Sequence, residues 1–353
     1  MIPSHFKVYT KQDLLSLVKL RRFETKLGER IHAATTGSSL HNLVSSISTR
    51  YVVFGIPEDI GILANYGKGG ADSAWVPFLQ AFFNMQSNDL FNGDDITVLG
   101  HFDFGDIKYL IERNAHDGEE RIEALRHAVT TIDDEVEALV KAIVAAGKFP
   151  IVVGGGHNNA YPMIKGVAKA LDHSSHGAQH LIHCINLDAH SDFRPSEGRH
   201  SGNGFRYAME DGFLKKYFIL GIQESYTPQN LLLDLNNNPD IQFISYEDLY
   251  LKSTYDFRQG LAQAIDFTSD RPCGVEIDLD VIQNVLSSAQ TPAGFSATEA
   301  RQFAYTCGTA AQACYLHVCE GATRLSNGQS DESTGKLIAL LTADFLRAHQ
   351  DQD

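Results

Sequence analysis

The sequence predicts an α/β protein: a single domain built on an eight-stranded parallel sheet with helices on both faces. Three observations carry that expectation. Eight short apolar runs alternate with stretches of helical periodicity along the 353 residues, the pattern that a parallel sheet with crossover helices requires. Three of those runs end in polar residues, at the position where open α/β sheets keep their ligands. No internal repeat or low-complexity linker divides the chain. Residues 1–353 therefore read as one unit, with 1–49 a helical extension and connector and 50–353 the core.

The elements follow in order. Leu14, Leu15, Leu17, Val18, Leu20 and Phe23 form a stripe beside Lys19, Arg21, Arg22, Lys26 and Arg30, which predicts an amphipathic helix across 11–33. A Ser/Thr-rich connector covers 34–49. Tyr51–Gly55 is the first strand, and the glycine-punctuated loop Asn65-Tyr66-Gly67-Lys68-Gly69-Gly70 comes after it; loops in that position often line a site. A helix from about Asp72 to Phe83 holds the only tryptophan, Trp75, as core. The strand Ile96–Gly100 leads into His101-Phe102-Asp103, and a long amphipathic helix from about Glu119 to Ala146 stops at Gly147, a good residue for the position after a helix. Next come the strand 149–153, a helix near Ala160–Leu171 and the strand 181–187. Beyond them lie strands at 217–222, 241–244, 273–279 and 314–318, with helices at 227–236, 256–266, 298–309 and 334–348.

Composition narrows the partners. A hydrophobic fraction of 43% and a charged fraction of 21% are ordinary for a soluble globular protein. A net charge of −15 argues against nucleic acid or an anionic membrane as a main partner; the partner expected from the motifs is a small-molecule substrate. The opening Met1-Ile2-Pro3-Ser4-His5 does not read as a signal peptide, and no apolar run reaches membrane-spanning length. The five cysteines show no CxxC pairing, which predicts reduced thiols in a cytoplasmic protein.

The chemistry sits at three strand ends. Asp188, His190 and Asp192, in Asn186-Leu187-Asp188-Ala189-His190-Ser191-Asp192, stand at every second position, so an extended chain would project them to one side. Val152-Val153-Gly154-Gly155-Gly156-His157 opens from a strand into a glycine turn capped by a histidine. The strand Gly274-Val275-Glu276-Ile277 runs into Asp278-Leu279-Asp280, which repeats the alternation with two acids at its end. A donor set of four carboxylates and two imidazoles suits hard divalent ions such as Mn²⁺. Six such donors match two ions about 3.5–4 Å apart, a pair that lowers the pKa of a bridging water and presents hydroxide to a trigonal carbon.

In this order the three motifs resemble the arginase (ureohydrolase) family, whose signatures are GG-x-H, D-A-H-x-D and a D-x-D after a strand. The resemblance covers roughly 50–325 and implies an arginase-like three-layer fold with a binuclear manganese centre, two Mn²⁺ per subunit. It implies that one ion takes His157, Asp188, Asp192 and Asp278, and the other Asp188, His190, Asp278 and Asp280. It also implies that Glu320 hydrogen-bonds the amidine or guanidine nitrogens and that Asp192 serves in proton transfer. Arg199-His200-Ser201-Gly202-Asn203 is similar to the family's S-G-N loop, which makes Ser201 and Asn203 substrate contacts, and Arg194 falls where arginases carry an asparagine that reads the amino-acid head group. Asn65 joins them from the glycine-rich loop. Members are commonly homo-oligomers, although no interface is legible in one chain.

Departures from the arginase pattern point to the substrate. Phe205 stands where arginases place a histidine, and the stretch 201–206 looks more like the formimidoylglutamase branch. That branch must hold the two carboxylates of N-formimino-L-glutamate, and Arg194, Arg199 and Arg206 crowd one loop; arginine is suited to bidentate carboxylate recognition. The expectation is a manganese-dependent hydrolase giving L-glutamate and formamide, a step of histidine degradation. Agmatinase or another guanidino-acid ureohydrolase is the alternative, since 205–208 also resembles that pattern, and a non-catalytic metal-binding relative is a third. A related zinc-dependent amide deacetylase would carry a His-His dipeptide, which this chain lacks.

Overall fold

The computed structural model describes residues 1–351 except 36, 38, 173–180 and 311. Its centre is a ten-stranded sheet. The strands are β1 (Phe6–Val8), β2 (His32–Ala33), β3 (Tyr51–Gly55), β4 (Ile96–Phe102), β5 (Phe149–Val153), β6 (Ile182–Leu187), β7 (Leu214–Ile222), β8 (Ile241–Ser245), β9 (Cys273–Asp278) and β10 (Ala313–Cys319). The eight predicted strands are β3 to β10, and they all run parallel to one another. Strand order is β1-β4-β3-β5-β10-β9-β6-β7-β8, with β2 also pairing with β4.

The two additional strands correct the reading of the first 49 residues. β1 adds to β4 antiparallel and β2 adds to it in parallel, so this segment extends the sheet. The helix expected over 11–33 is broken into Lys11–Ser16 and Leu27–Arg30. Asn84 causes the break: its amide group donates to the Leu17 carbonyl at 2.9 Å and accepts the Lys19 N–H at 2.7 Å. Groups that would have continued the helix are thereby taken up by a side chain. Phe23, which the stripe had placed inside, lies 92% exposed on a left-handed backbone.

Two faces of the sheet bury two cores, and residue parity decides which. Tyr51, Val53, Ile151, Val153, Ile185, Leu187, Val275 and Ile277 pack with the helices Trp75–Phe83, Ala297–Gly308 and Ser333–Gln350. Val52, Phe54, Val152 and Cys184 pack on the other face with Gly118–Ala145 and Ala160–Asp172. Period two along a strand sends neighbours to opposite faces, and strands buried on both sides read as continuous apolar runs. Trp75 is core, with its indole N–H on the Tyr9 hydroxyl at 3.0 Å. Gly147, on a left-handed backbone, closes the long helix. Cys184, Cys273, Cys307 and Cys319 are buried, Cys314 is partly so, and none is bridged.

The strand order reverses at the centre: β5 lies beside β10, β9 follows on the far side of β10, and the next strand in sequence after β5, β6, lies beyond both. Val153 pairs with Val318, Cys319 with Asp278 and Leu187 with Ile277. The C-terminal ends of four strands are thus in register at one topological switch point, the place where such sheets bind ligands.

Candidate metal centre

The residue after each of those ends is where the chemistry begins. Beyond β5 the chain turns through Gly154 and Gly155, both at positive φ. A Cβ at Gly155 would lie 2.7 Å from the Ile56 carbonyl oxygen, so this turn admits only glycine. The turn delivers His157, fully buried. Its Nδ1 lies 3.3 Å from Asp188, 2.9 Å from Asp192 and 3.1 Å from Asp278. His190 Nδ1 lies 3.1 Å from Asp280 and 3.7 Å from Asp188. Donor atoms of His157, Asp188, Asp192 and Asp278 all fall within 4.8 Å of one another, and so do those of Asp188, His190 and Asp280. The six predicted ligands are brought together in two groups that share Asp188.

How they get there differs from simple alternation. β6 ends at Leu187, and the chain bends immediately after Asp188. Asp192 reaches the cluster through a left-handed backbone, φ 43°, and Glu320 does the same at 62°. Non-glycine residues in that region carry strain that clusters at functional sites. Asp278 is the last residue of β9, and Asp280 lies in the short 3₁₀ turn that follows. The acids are fixed by donors: Asn186 gives its amide to Asp188 at 2.8 Å, and the His190 N–H gives to the other oxygen at 2.7 Å. The Asp280 N–H donates to Asp278 at 2.8 Å, and the His157 N–H to Glu320 at 2.9 Å.

The charge balance calls for a cation. Burial, then repulsion from Asp280 and Asp188, pushes the Asp278 carboxyl up. Burial and then Asp280 do the same to Glu320, and burial with Asp188 lifts Asp192 to about 6. Burial opposes charge on both histidines, but Cys319 followed by Asp188, Asp192 and Asp278 raises His157, and Asp280 with Asp188 raises His190. No lysine or arginine bonds to any of these acids among the described residues, and one oxygen of Asp280 is buried without a partner. Buried carboxylates in such a group need compensation by cations or metal. The donor set, oxygen-rich with two imidazoles, fits two hard divalent ions.

A cavity of about 310 Å³ opens onto the cluster. Asn65, Arg194 and Ser201 line it together with Asp192, Asp280 and Glu320. Asn203 and Arg206 do not line it, which corrects the expectation for both. Asn203 is fully buried, taking Arg199 Nη1 on its side-chain oxygen at 2.7 Å. Arg206 turns outward to Asp234 and Glu210 because it sits on the helix Gly204–Glu210, whose outer face points to solvent. Arg199 is also structural, paired with Asp133 at 2.8 Å between the rings of Tyr161 and Tyr207. Phe205 covers the His157 ring edge-on at 5.0 Å and stacks on Tyr217. His101, near the end of β4, and Asp103, just beyond it, are absent from the cluster.

One residue escaped the sequence reading. Glu58, buried, accepts the N–H groups of Ile60, Gly61 and Gly156 and the side-chain amides of Asn158 and Asn159. It holds the glycine turn that presents His157. Its place just past β3 was the available signal, but nothing in the local spacing marks it.

Comparison with known proteins agrees with this geometry. The Arginase family model matches residues 49–346. The chain is similar to a formimidoylglutamase of Macrococcus caseolyticus, 26% identical over 273 residues and 76% of each chain. It is also similar to one of Streptococcus pyogenes, 30% identical over 226 residues, which are 62% of this chain and 59% of that protein. Among solved structures, Trypanosoma cruzi formiminoglutamase with Mn²⁺ superposes with a TM-score of 0.67 at 19% identity, covering 92% of this chain and 98% of that one; at that identity the likeness speaks for the fold. With the family's motifs at the ends of β5, β6 and β9 and its model spanning most of the sequence, the chain belongs to the arginase family.

Proposed function

We propose that the protein is a manganese-dependent formimidoylglutamase, converting N-formimino-L-glutamate and water into L-glutamate and formamide in the cytoplasm. One observation carries the choice within the family. Apart from the metal-binding acids and Glu320, the single charged side chain lining the cavity among the described residues is Arg194. Glu197 and Glu210, the acids that could have received a cationic tail, are turned to Arg126 and Arg206. A carboxylate fits that lining, and the amine or ammonium of a guanidino substrate does not. The relatives named above carry the same activity in their names.

His157, Asp188, Asp192 and Asp278 would hold one ion, and Asp188, His190, Asp278 and Asp280 the other. When bound, such a pair acidifies a water and polarises the reacting group. The chain's own residues do the rest. Glu320, with one oxygen on the His157 N–H, orients the amidine N–H groups with the other. Asp192 takes a hydrogen bond from the attacking water, receives its proton as the C–O bond forms and passes it to the leaving nitrogen as the C–N bond breaks, a positioned acid–base role. Arg194, Ser201 and Asn65 anchor the remainder of the substrate. The test is glutamate release from N-formimino-L-glutamate by manganese-loaded protein, with urea release from L-arginine and agmatine measured alongside. Glutamate without urea is expected; urea from either guanidine would overturn the substrate.

A further inference from the structure

The cavity over the metal ligands and a second hollow beside it share part of their lining, so that together they form a fork. Its first arm runs from Asp192 and Asp280 to Arg194. The second hollow, about 360 Å³, shares His190, Tyr226, Ser288 and Ala289 with the first and runs the other way, to Lys68 and Ser287. The wall between them is tight. Gly67 lines the first arm, and a Cβ there would come within 3.1 Å of Ser288 Oγ and 2.6 Å of Ile62. That close approach sets the loop 65–68 against the loop 287–290 and turns the next side chain, Lys68, into the second hollow.

Two features of this arm have no internal explanation. Lys68 is exposed and makes no hydrogen bond or ion pair among the described residues. Ser287 is 1% exposed, lines the hollow and leaves its Oγ without a partner. A buried hydroxyl left unpaired costs free energy unless something completes it. A free ammonium and an unpaired hydroxyl in one pocket are complementary to a carboxylate. Ser287 also bridges to Gly321, the residue after Glu320, so this arm is tied to the group that would orient the amidine.

We infer that the second arm is a carboxylate subsite, in which Lys68 and Ser287 hold one carboxylate of a dicarboxylic amidine while Arg194 holds the other. The inference rests on the formimidoylglutamase reading above and sharpens it: the fork selects substrates with two acidic ends and rejects those with one. Lys68 and Ser287 become specificity-determining residues, and neither touches the reacting carbon.

The experiment is calorimetric titration of manganese-loaded protein with L-glutamate, 4-aminobutyrate and L-2-aminobutyrate, which carry both carboxylates, the distal one alone and the α one alone. Wild type should bind L-glutamate most tightly. Lys68→Met should weaken L-glutamate by about tenfold or more, the scale of a lost charged hydrogen bond, and weaken only one of the two monocarboxylates. Arg194→Met should weaken L-glutamate and the other one. Ser287→Ala should follow Lys68→Met with a smaller effect. In turnover, Lys68→Met should raise KM for N-formimino-L-glutamate and hold kcat, the signature of lost uniform binding. Lys68→Met binding all three ligands like wild type, or losing all three equally, overturns the subsite. Should wild type bind L-glutamate and show the Lys68 pattern without hydrolysing the formimino compound, the subsite stands and the reaction assignment fails. Should Lys68→Met leave hydrolysis of the formimino compound untouched, the reaction assignment stands and the subsite fails. No binding of any of the three ligands overturns both.

Discussion

The four central strands and the loop over 193–206 contribute the two halves of the site, and they place side chains by different rules. At the strand ends the sheet register does the placing. Val153, Leu187, Ile277 and Val318 are aligned by pairing, so donor side chains distant in sequence arrive together and are fixed by short hydrogen bonds. In the loop no lattice imposes an alignment. Arg194, Arg199 and Arg206 are close in sequence yet diverge into cavity, core and surface. Proximity along a chain therefore predicts convergence only where a repeating backbone geometry enforces it.

The largest expected effect tests the strand-end half. Asp188→Asn removes the carboxylate common to both donor groups. Manganese content measured by elemental analysis should fall below two per chain, and turnover should drop by at least about 100-fold, since even an outer partner of a metal ligand registers on that scale. A variant with two ions and full turnover would mean that the strand ends are not the centre.

Arg199 comes next and tests the loop half. Both it and Asp133 are nearly inaccessible, and removing one member of a buried pair costs about 3–5 kcal/mol because the other charge stays unpaired. Arg199→Met should lose that much in urea unfolding, and the double change Asp133→Leu with Arg199→Met should recover a large part of it. Were Arg199→Met as stable as wild type and impaired only in KM, the arginine would belong to the substrate after all.

His200 gives a third, pH-dependent handle on the same loop. Burial, followed by the positive charges of Arg126, Arg194 and Arg199, pushes it down to about 3. Its Nδ1 accepts the Gly202 N–H at 3.1 Å and must be unprotonated to do so. The unfolded value is about 6.5, so the folded pKa is the lower one. The contribution is complete above about 6.5 and is lost as pH falls towards about 3, at up to about 1.4 kcal/mol per pH unit for one proton. His200→Asn, which keeps an acceptor and does not titrate, should flatten unfolding free energy against pH across that window. Identical slopes for variant and wild type would remove His200 from the account.

Legibility in the sequence follows the same division. Asp188, His190, Asp278 and Asp280 were readable because acids and a histidine at close spacing mark the ends of apolar runs, although the chain leaves the strand there and simple alternation is not what places them. β1 and β2 were not, because three and two residues are too few to show a period, and the helical stripe over 14–23 was broken by Asn84, which no local pattern announces. Glu58 serves backbone and amide groups about a hundred residues away, and Ser287 owes its burial to neighbours from other elements. Side chains whose roles are set by distant partners leave no mark in their own stretch of sequence.

The smallest effect separates the two remaining arginines of the loop. Arg194 lines the cavity and is half-exposed, with Glu197 a loose partner at 3.9 Å. Arg206 lies over the Phe193 ring and pairs with Asp234 at the surface. A surface pair of that kind contributes about 0–1 kcal/mol, so Arg206→Met should shift the urea midpoint slightly and leave KM for N-formimino-L-glutamate where it was. Arg194→Met should do the opposite, raising KM about tenfold through a lost charged hydrogen bond with the fold intact. The comparison breaks if the two variants exchange behaviours. In that event the helix Gly204–Glu210 would have to turn on substrate binding so that Arg206 faces inward, and the loop would be ordered by ligand rather than by its own packing.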